Sequence, residues 1–238
     1  MTEEEKEKIL KHFADNFKSI DINDSFEINE RYKDMKVLEL FAGSRSIGKC
    51  AEQLGMTIFS VDWENYEGIN LSKDIGNLTL NDIPFVPDIV WASPDCTTYT
   101  IAAISTHRNG VEPKSGYAKK CDAVNIHFIG LIKEWLKLNP DMIFFIENPR
   151  GMLRKMPFMQ EFKRHTIWYC QYGDDRAKPT DIWTNSKTWN PRPVCHNGNK
   201  ECHHQPAPRG AKSGTQGRNN HYERSKIPYQ LCYEILTS

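Results

Sequence analysis

The stretch "WASPDCTTYT", residues 91–100, places one cysteine among hydroxyls and a tyrosine, just past an apolar run. A free thiol has a pKa near ~8.5, so only a few per cent is thiolate at neutral pH. A nucleophilic cysteine therefore needs an exposed position, a turn that aims it, and N–H groups or positive charge nearby. Pro94 disfavours helix at Ser93 and stiffens the turn, so Cys96 falls where a strand has ended. These residue types fit a nucleophile, and they also fit an inert loop thiol. Cys50, Cys121 and Cys170 lie inside helix or strand patterns and read as small core residues.

A partner is available in "FFIENP". An acid after a wholly apolar strand is costly unless it is hydrogen-bonded or protonated. Glu147 could therefore carry a raised pKa and donate a proton or hydrogen bond; a capping Glu followed by an Asn-Pro turn is the plainer alternative. In "LELFAGSRSIG" a strand, a small-residue turn and a helix start would leave a notch lined by backbone N–H groups. Gly43 and Gly48 lack dinucleotide-fingerprint spacing, so a tight turn explains them equally well. Asp62 ends the next strand, where an acid can accept from both ribose hydroxyls, and Trp63 could pack on an adenine. A helix cap beside a core aromatic would look the same.

A fourth group lies in "NPRPVCHNGNKECHHQPAPRGAKSGTQGRNNHY", residues 190–222, poor in aliphatics and rich in Gly, Pro, Asn and His. Cys195, Cys202, His203 and His204 could build a tetrahedral zinc site, with His196 and His221 nearby. The spacing is not that of a standard finger. A polar loop, or histidines near phosphates, are the alternatives, but zinc would explain how the stretch folds without an apolar core.

The elements that must position these residues follow from periodicity. Residues 3–17 carry Ile9, Leu10, Phe13 and Phe17 at helical spacing; helices are also expected over 44–55, 117–140 and 227–236. Strands are expected over 35–43, 56–63, 87–93, 141–149, 165–173 and 180–185. Strands alternating with helices imply an α/β fold, a mostly parallel sheet with helices on both faces, and ligands outside the carboxyl ends of its strands. The expected divisions are a helical extension over 1–34, a catalytic domain over 35–186, a small Cys/His-rich irregular insert over 187–222, and a closing helix over 223–238 that packs back on the catalytic domain.

Composition sets outer limits. The 31 basic and 31 acidic residues cancel, so the whole-chain field selects no polyanion, although local patches can differ. The tail from Lys187 to Arg224 is richer in Lys, Arg and His, which puts any anion-binding surface in the C-terminal half if it is more than a polar loop. No run of ~18 apolar residues exists, so no membrane partner is expected. With an acidic amphipathic N-terminus unlike an export signal, reduced thiols in a cytoplasm, bacterial or phage-infected, are expected.

The order "VLELFAGSRSIG … VDW … KDIGNL … WASPDCTTYT … FFIENPRGML … QYGDDRAKPT … KIPYQLCYEI" resembles the cytosine-5 DNA methyltransferases, in compact, phage-type or restriction-associated form. Pro94-Asp95-Cys96-Thr97 stands where that family has Pro-Pro-Cys-Gln. Glu147-Asn148-Pro149 stands for Glu-Asn-Val, and Asp74-Ile75 for its Asp-Ile signature. The resemblance implies a Rossmann-like class I methyltransferase sheet and S-adenosylmethionine held by Phe41, Gly43, Ser44, Arg45, Asp62, Trp63, Asp74, Ile75, Ser93 and Pro94. It implies Cys96 adding to C6 of a flipped cytosine in duplex DNA, Glu147 at N3, and Arg176 and Lys178 at the nucleotide phosphate or behind the Cys96 loop.

Departures bear on substrate. Thr180 stands where the family has a second arginine, Asp95 sets an anion beside the nucleophile, and the target-recognition segment is short. RNA, single-stranded DNA or a free nucleotide are therefore alternative substrates. Arg45 and Lys49 could meet the extra carboxylate of a modified cofactor carrying a carboxymethyl group. A catalytically silent nucleic-acid-binding module is the reading from another class.

Overall fold

A computed structural model describes residues 30–205 and 221–238. The helix expected over 3–17 lies outside the described residues, as do the middle of the insert and the N-terminal extension before residue 30.

The first described strand, β1 (Lys36–Leu40), has Val37, Leu38 and Leu40 all buried, as a central parallel strand requires. It leads into α1 (Ser46–Gln53), then β2 (Thr57–Asp62), the short β3 (Leu71–Ser72) and β4 (Ile89–Ala92). A short helix α2 (Ile104–His107) and a small hairpin, β5 (Arg108–Asn109) with β6 (Glu112–Pro113), precede the long α3 (Gly116–Leu138). Ser115 caps α3 by accepting from Ala118 N at 3.1 Å, and Ala118, Cys121, Asn125, Phe128, Ile132 and Trp135 form its buried stripe. Then come β7 (Ile143–Pro149), β8 (Arg164–Trp168), β9 (Pro179–Thr184), α4 (His221–Ser225) and α5 (Tyr229–Leu236).

The seven-stranded sheet has the order β3-β2-β1-β4-β7-β9-β8. The first five strands are mutually parallel; β9 runs antiparallel to both β7 and β8. One face buries Leu38, Leu40, Val90 and Ile146 against α3 through Phe128, Ile132 and Trp135. The other buries Val37, Trp91 and Phe145 against Ile47 and Ala51 of α1 and Leu231 and Ile235 of α5. After β1 the chain moves outward to β2, and after β4 it moves the other way to β7. The switch point therefore lies between β1 and β4.

The aromatic run expected as one strand over 165–173 is divided. β8 stops at Trp168, and Tyr169–Tyr172 form a 3-10 turn closed by Gly173 at φ 88°. Among the described residues, no helix is long and apolar enough to cross a membrane.

Candidate active site

The turn after β1 is wound tightly: Phe41, Gly43 and Arg45 have φ of 56°, 49° and 55°. Two of these are non-glycine residues in the left-handed region, a strain that persists only where the surroundings impose it. A Cβ on Gly43 would lie 3.0 Å from Ser225 Oγ, so glycine is required for both space and φ. Gly43 N donates to Asp62 Oδ2 and Glu64 N to Asp62 Oδ1, each at 2.9 Å. Burial raises the Asp62 pKa, and those N–H groups oppose the shift. Beside it, Trp63 is 71% exposed. An aromatic face and an aimed carboxylate thus stand together at the carboxyl end of β2.

Asp74 caps the turn Ile75–Asn77 through Gly76 N at 2.9 Å, and Lys120 of α3 reaches its other oxygen at 2.8 Å. Lys120 and the Gly76 N–H hold the Asp74 carboxyl below its ordinary pKa. Ser44 is buried, with its hydroxyl 3.0 Å from that of Ser46. Phe41 packs edge-on against Phe128. Ser93 Oγ accepts from Trp91 Nε1 at 2.8 Å. Two expected cofactor contacts are placed elsewhere. Ile75 points into the core at 2% exposure. Arg45 is turned inward: Nε donates to Ser60 Oγ at 3.2 Å and a terminal nitrogen to Glu52 Oε1 at 2.6 Å, so it is not free for an added carboxylate. Glu39, absent from the sequence-based set, supports this side from below, accepting from Ile47 N and the Ser60 hydroxyl.

Cys96 and Glu147 follow from β4 and β7, which are paired in parallel register. Asn148, fully buried, donates from Nδ2 to the Pro94 carbonyl at 2.8 Å and so ties the cysteine turn to the end of β7. Glu147 is 5% exposed and accepts from the Tyr169 hydroxyl at 2.9 Å. Lys178 Nζ stands 3.9 Å from Glu147 Oε1 and over the Tyr169 ring. Burial lowers the Lys178 pKa, while Glu147 and Cys96 oppose the shift, so the three groups share one electrostatic neighbourhood. Burial and then Asp95 push the Cys96 thiol up to about 11; Lys178 pulls the other way. The resting cysteine is a thiol.

Lys178 is held at φ 23°. Arg176 forks onto Asp174 through Nε at 2.8 Å and a terminal nitrogen at 2.6 Å, is 3% exposed, and leaves its other terminal nitrogen buried without a hydrogen-bond partner among the described residues. Thr180 is fully buried, its hydroxyl donating to the Lys178 carbonyl. A different arginine braces the nucleophile loop. Arg108 donates to the Thr98 carbonyl at 2.9 Å and pairs with Asp122 of α3 at 2.6 and 3.0 Å. Its guanidinium also lies 4.2 Å from the Tyr99 ring centroid. Tyr99 in turn donates to Asp122 and accepts from Asn125. Asp122 and Asn125, polar residues on the buried stripe of a long amphipathic helix, were the available sequence signal.

The expected metal set is altered. Cys195, Cys202 and His204 converge, but the fourth member is Cys170, not His203. His203 is exposed and donates from Nε2 to the Asp174 carbonyl at 3.0 Å. Cys170, read from sequence as core, lies in the Tyr169–Tyr172 turn that replaces the expected strand, and the turn points it at the insert.

No protein-family model and no curated protein matches this sequence. Among solved structures, the methyltransferase EhMeth of Entamoeba histolytica superposes with a TM-score of 0.50 at 16% identity, over 68% of this chain and 56% of its own. The fold is that of the class I Rossmann-like methyltransferases. Dnmt2 of Spodoptera frugiperda is also similar (18% identity, TM-score 0.45, 73% of this chain and 57% of its own), as is Dnmt2 of S. pombe (14%, 0.44, 63% and 48%). The chain spans about half the length of these structures. In this class I methyltransferase sheet, the Phe41–Arg45 turn and Asp62 flank one side of the switch point, and Cys96 and Glu147 the other. Two ligands could meet between them.

Proposed function

We propose that the protein is an S-adenosylmethionine-dependent methyltransferase that modifies C5 of cytosine in DNA through a covalent Cys96 adduct. The observation that carries the reading is the placement of Cys96 and Glu147 at the carboxyl ends of the adjacent parallel strands β4 and β7, locked in register by Asn148 on the Pro94 carbonyl. The residues across the switch point suit the cofactor. Trp63 offers an exposed ring for an adenine, and each Asp62 oxygen keeps a lone pair for a ribose hydroxyl. S-adenosylmethionine would supply the electrophilic methyl group there.

On the substrate side, the Cys96 thiol gives up its proton to Glu147, directly or through water, and the sulfur adds its electron pair to C6. The displaced π electrons move toward C5, with charge spreading to N3 and O2. Glu147 delivers that proton to N3 and so lowers the cost of that charge. Lys178 favours the thiolate electrostatically. After C5 is methylated, the C5 proton passes to water, the returning electrons break the Sγ–C6 bond, and the departing sulfur recovers the N3 proton. A cytosine must leave the duplex stack to reach this rim.

The test is incubation with methyl-labelled cofactor and mixed-sequence DNA, then mass spectrometry of the bases. The expected product is 5-methylcytosine, lost in Cys96→Ser, with a covalent adduct trapped on 5-fluorocytosine DNA. A product methylated elsewhere, or undiminished turnover in Cys96→Ser, overturns the reading. A second reading keeps the chemistry on RNA, single-stranded DNA or a nucleotide. Its motivation is Arg176, which is spent on Asp174 and leaves fewer cations for duplex phosphates. Duplex, single strand and nucleotide compared side by side separate the two.

A further inference from the structure

The sulfur atoms of Cys170, Cys195 and Cys202 and a ring nitrogen of His204 all lie within 4.8 Å of one another. They come from two places. Cys170 belongs to the turn that ends β8, and the other three to a segment, 185–205, with no helix or strand. Cys195 and His204 are each only 5% exposed, although Val194 beside them is 70% exposed. The segment thus turns its thiols and imidazole inward and leaves its aliphatic residue in water.

Apolar burial does not account for that arrangement. The local cluster consists of Cys170, Ala177 and Cys195, with Trp168 and Cys202 at its edge. Trp189 anchors the start of the segment in the main core, but around residues 194–204 so small a cluster cannot offset the ~1–2 kcal/mol per residue lost in ordering the backbone. Arg192, His203 and Gln205 tie the segment to its neighbours, but nothing comparable holds the cluster's own donor atoms. Cys195 Sγ meets the His196 carbonyl at 3.6 Å, Asn199 Nδ2 at 3.6 Å and His204 Nδ1 at 3.8 Å, all weak sulfur contacts. Among the described residues, His204 Nε2 is buried with no hydrogen-bond partner.

Three thiols and an imidazole at these separations are the donor set of a closed structural metal site. In a tetrahedral zinc site with Zn–S near ~2.3 Å, sulfurs stand about 3.8 Å apart, a small contraction from the distances here. We infer that Cys170, Cys195, Cys202 and His204 bind one Zn²⁺ that clips the insert onto the class I methyltransferase core. Three Zn–S bonds and one Zn–N bond form, and the three thiol protons pass to solvent. All four positions are filled by protein, so the ion is structural and not a Lewis acid for substrate.

The clip has a reach beyond the insert. Cys170 directly follows Tyr169, which donates to Glu147. On the other side, His203 is bonded to the Asp174 carbonyl, and Gln205 N donates to the Asp175 carbonyl at 2.8 Å. The ion therefore fixes the start and the middle of the loop that runs from Tyr169 to Lys178 beside Glu147. The site stands independently of which reaction that carboxylate serves.

The full chain, made without a histidine tag in zinc-replete medium, is passed through chelator-free gel filtration and analysed for metal. About one zinc per chain is expected. Exchange for Co²⁺ should give intense visible absorption and sulfur-to-cobalt charge-transfer bands. Cys202→Ser and His204→Ala should retain less than about a tenth of the zinc, whereas His203→Ala should keep it. Should the Cys variants fail to fold, the unaltered chain and His203→Ala still decide. Zinc-free protein whose residues 170, 195 and 202 alkylate freely overturns the proposal. So does a disulfide among those three in unreduced protein, or zinc lost in His203→Ala.

Discussion

Tyr169 and Glu147 meet over the strand that separates β7 from β8: the phenol donates to Glu147 Oε1 at 2.9 Å, with Lys178 over the same ring. The carboxylate thus has a neutral donor and a nearby cation. Tyr169→Phe keeps the ring and removes the donor, leaving a buried acceptor unpaired. It should cost about 1–3 kcal/mol, read as a lower denaturant midpoint with an unchanged slope. If Glu147 is the group that meets the base, product formation should fall further than the stability loss explains, at saturating cofactor. Wild-type stability in Tyr169→Phe would show that the hydroxyl is not engaged.

How much of this was legible in the sequence depends on how local the signal is. The ends of β4 and β7, near which Cys96 and Glu147 were expected to act, were legible because both strands are apolar runs, and parallel strands deliver their ends to one rim. Asp62 and Trp63 were readable for the same reason. Arg45 was misplaced because its partners, Ser60 and Glu52, lie on other turns of the chain, and nothing adjacent marks the inward course of the side chain. Cys170 is buried, as its context indicated, but the turn that carries it was not legible because "HTIWYCQYG" has the composition of a strand. Only the left-handed Gly173 and the aromatic packing of Tyr169 and Tyr172 convert its second half into a turn. Arg108 itself carried no local signal; only Asp122 and Asn125 on α3 hinted at a buried partner, and the packing of α3 brings it to Thr98 and Asp122.

That buried arginine sets the second prediction. The Arg108 side chain is fully buried and its Asp122 partner nearly so. Removing one member strands the other, so Arg108→Ala should destabilise by about 3–5 kcal/mol. Replacing both, Arg108→Met with Asp122→Leu, should recover part of the loss. The cycle is read by urea unfolding. Additive single-variant losses would mean that the pair does not act as a unit.

Glu39 predicts a pH dependence. Burial pushes its carboxyl from 4.5 up to about 7, against the Ser60 and backbone hydrogen bonds that lower it. An acid whose folded pKa lies above its unfolded value costs stability once pH exceeds the unfolded value. In that range the folded state binds more protons. Stability should therefore fall between pH 4.5 and 7, by up to about 3 kcal/mol from this group. Glu39→Gln should flatten that portion of the melting-temperature profile. An equal slope in both proteins would place the titration elsewhere.

Cys96 is the sharpest case, because burial and two named groups act on one sulfur. Burial and Asp95 hold the thiol near about 11, and Lys178 opposes them. Alkylation follows the thiolate fraction, so in the free protein it should be slow at pH 8 and rise about tenfold per pH unit until the thiol titrates. Asp95→Asn removes the nearest anion and should speed modification at pH 8 by about threefold to tenfold; Lys178→Met should slow it by a similar factor. Peptide mass spectrometry after timed iodoacetamide treatment isolates residue 96 from the other cysteines. A faster Asp95→Asn thiol would also mean that the residue at position 95, where the resembled family has a proline, restrains the reactivity of Cys96. Unchanged alkylation in Asp95→Asn would show that the anion is screened from the sulfur, and the restraint would then rest on burial alone.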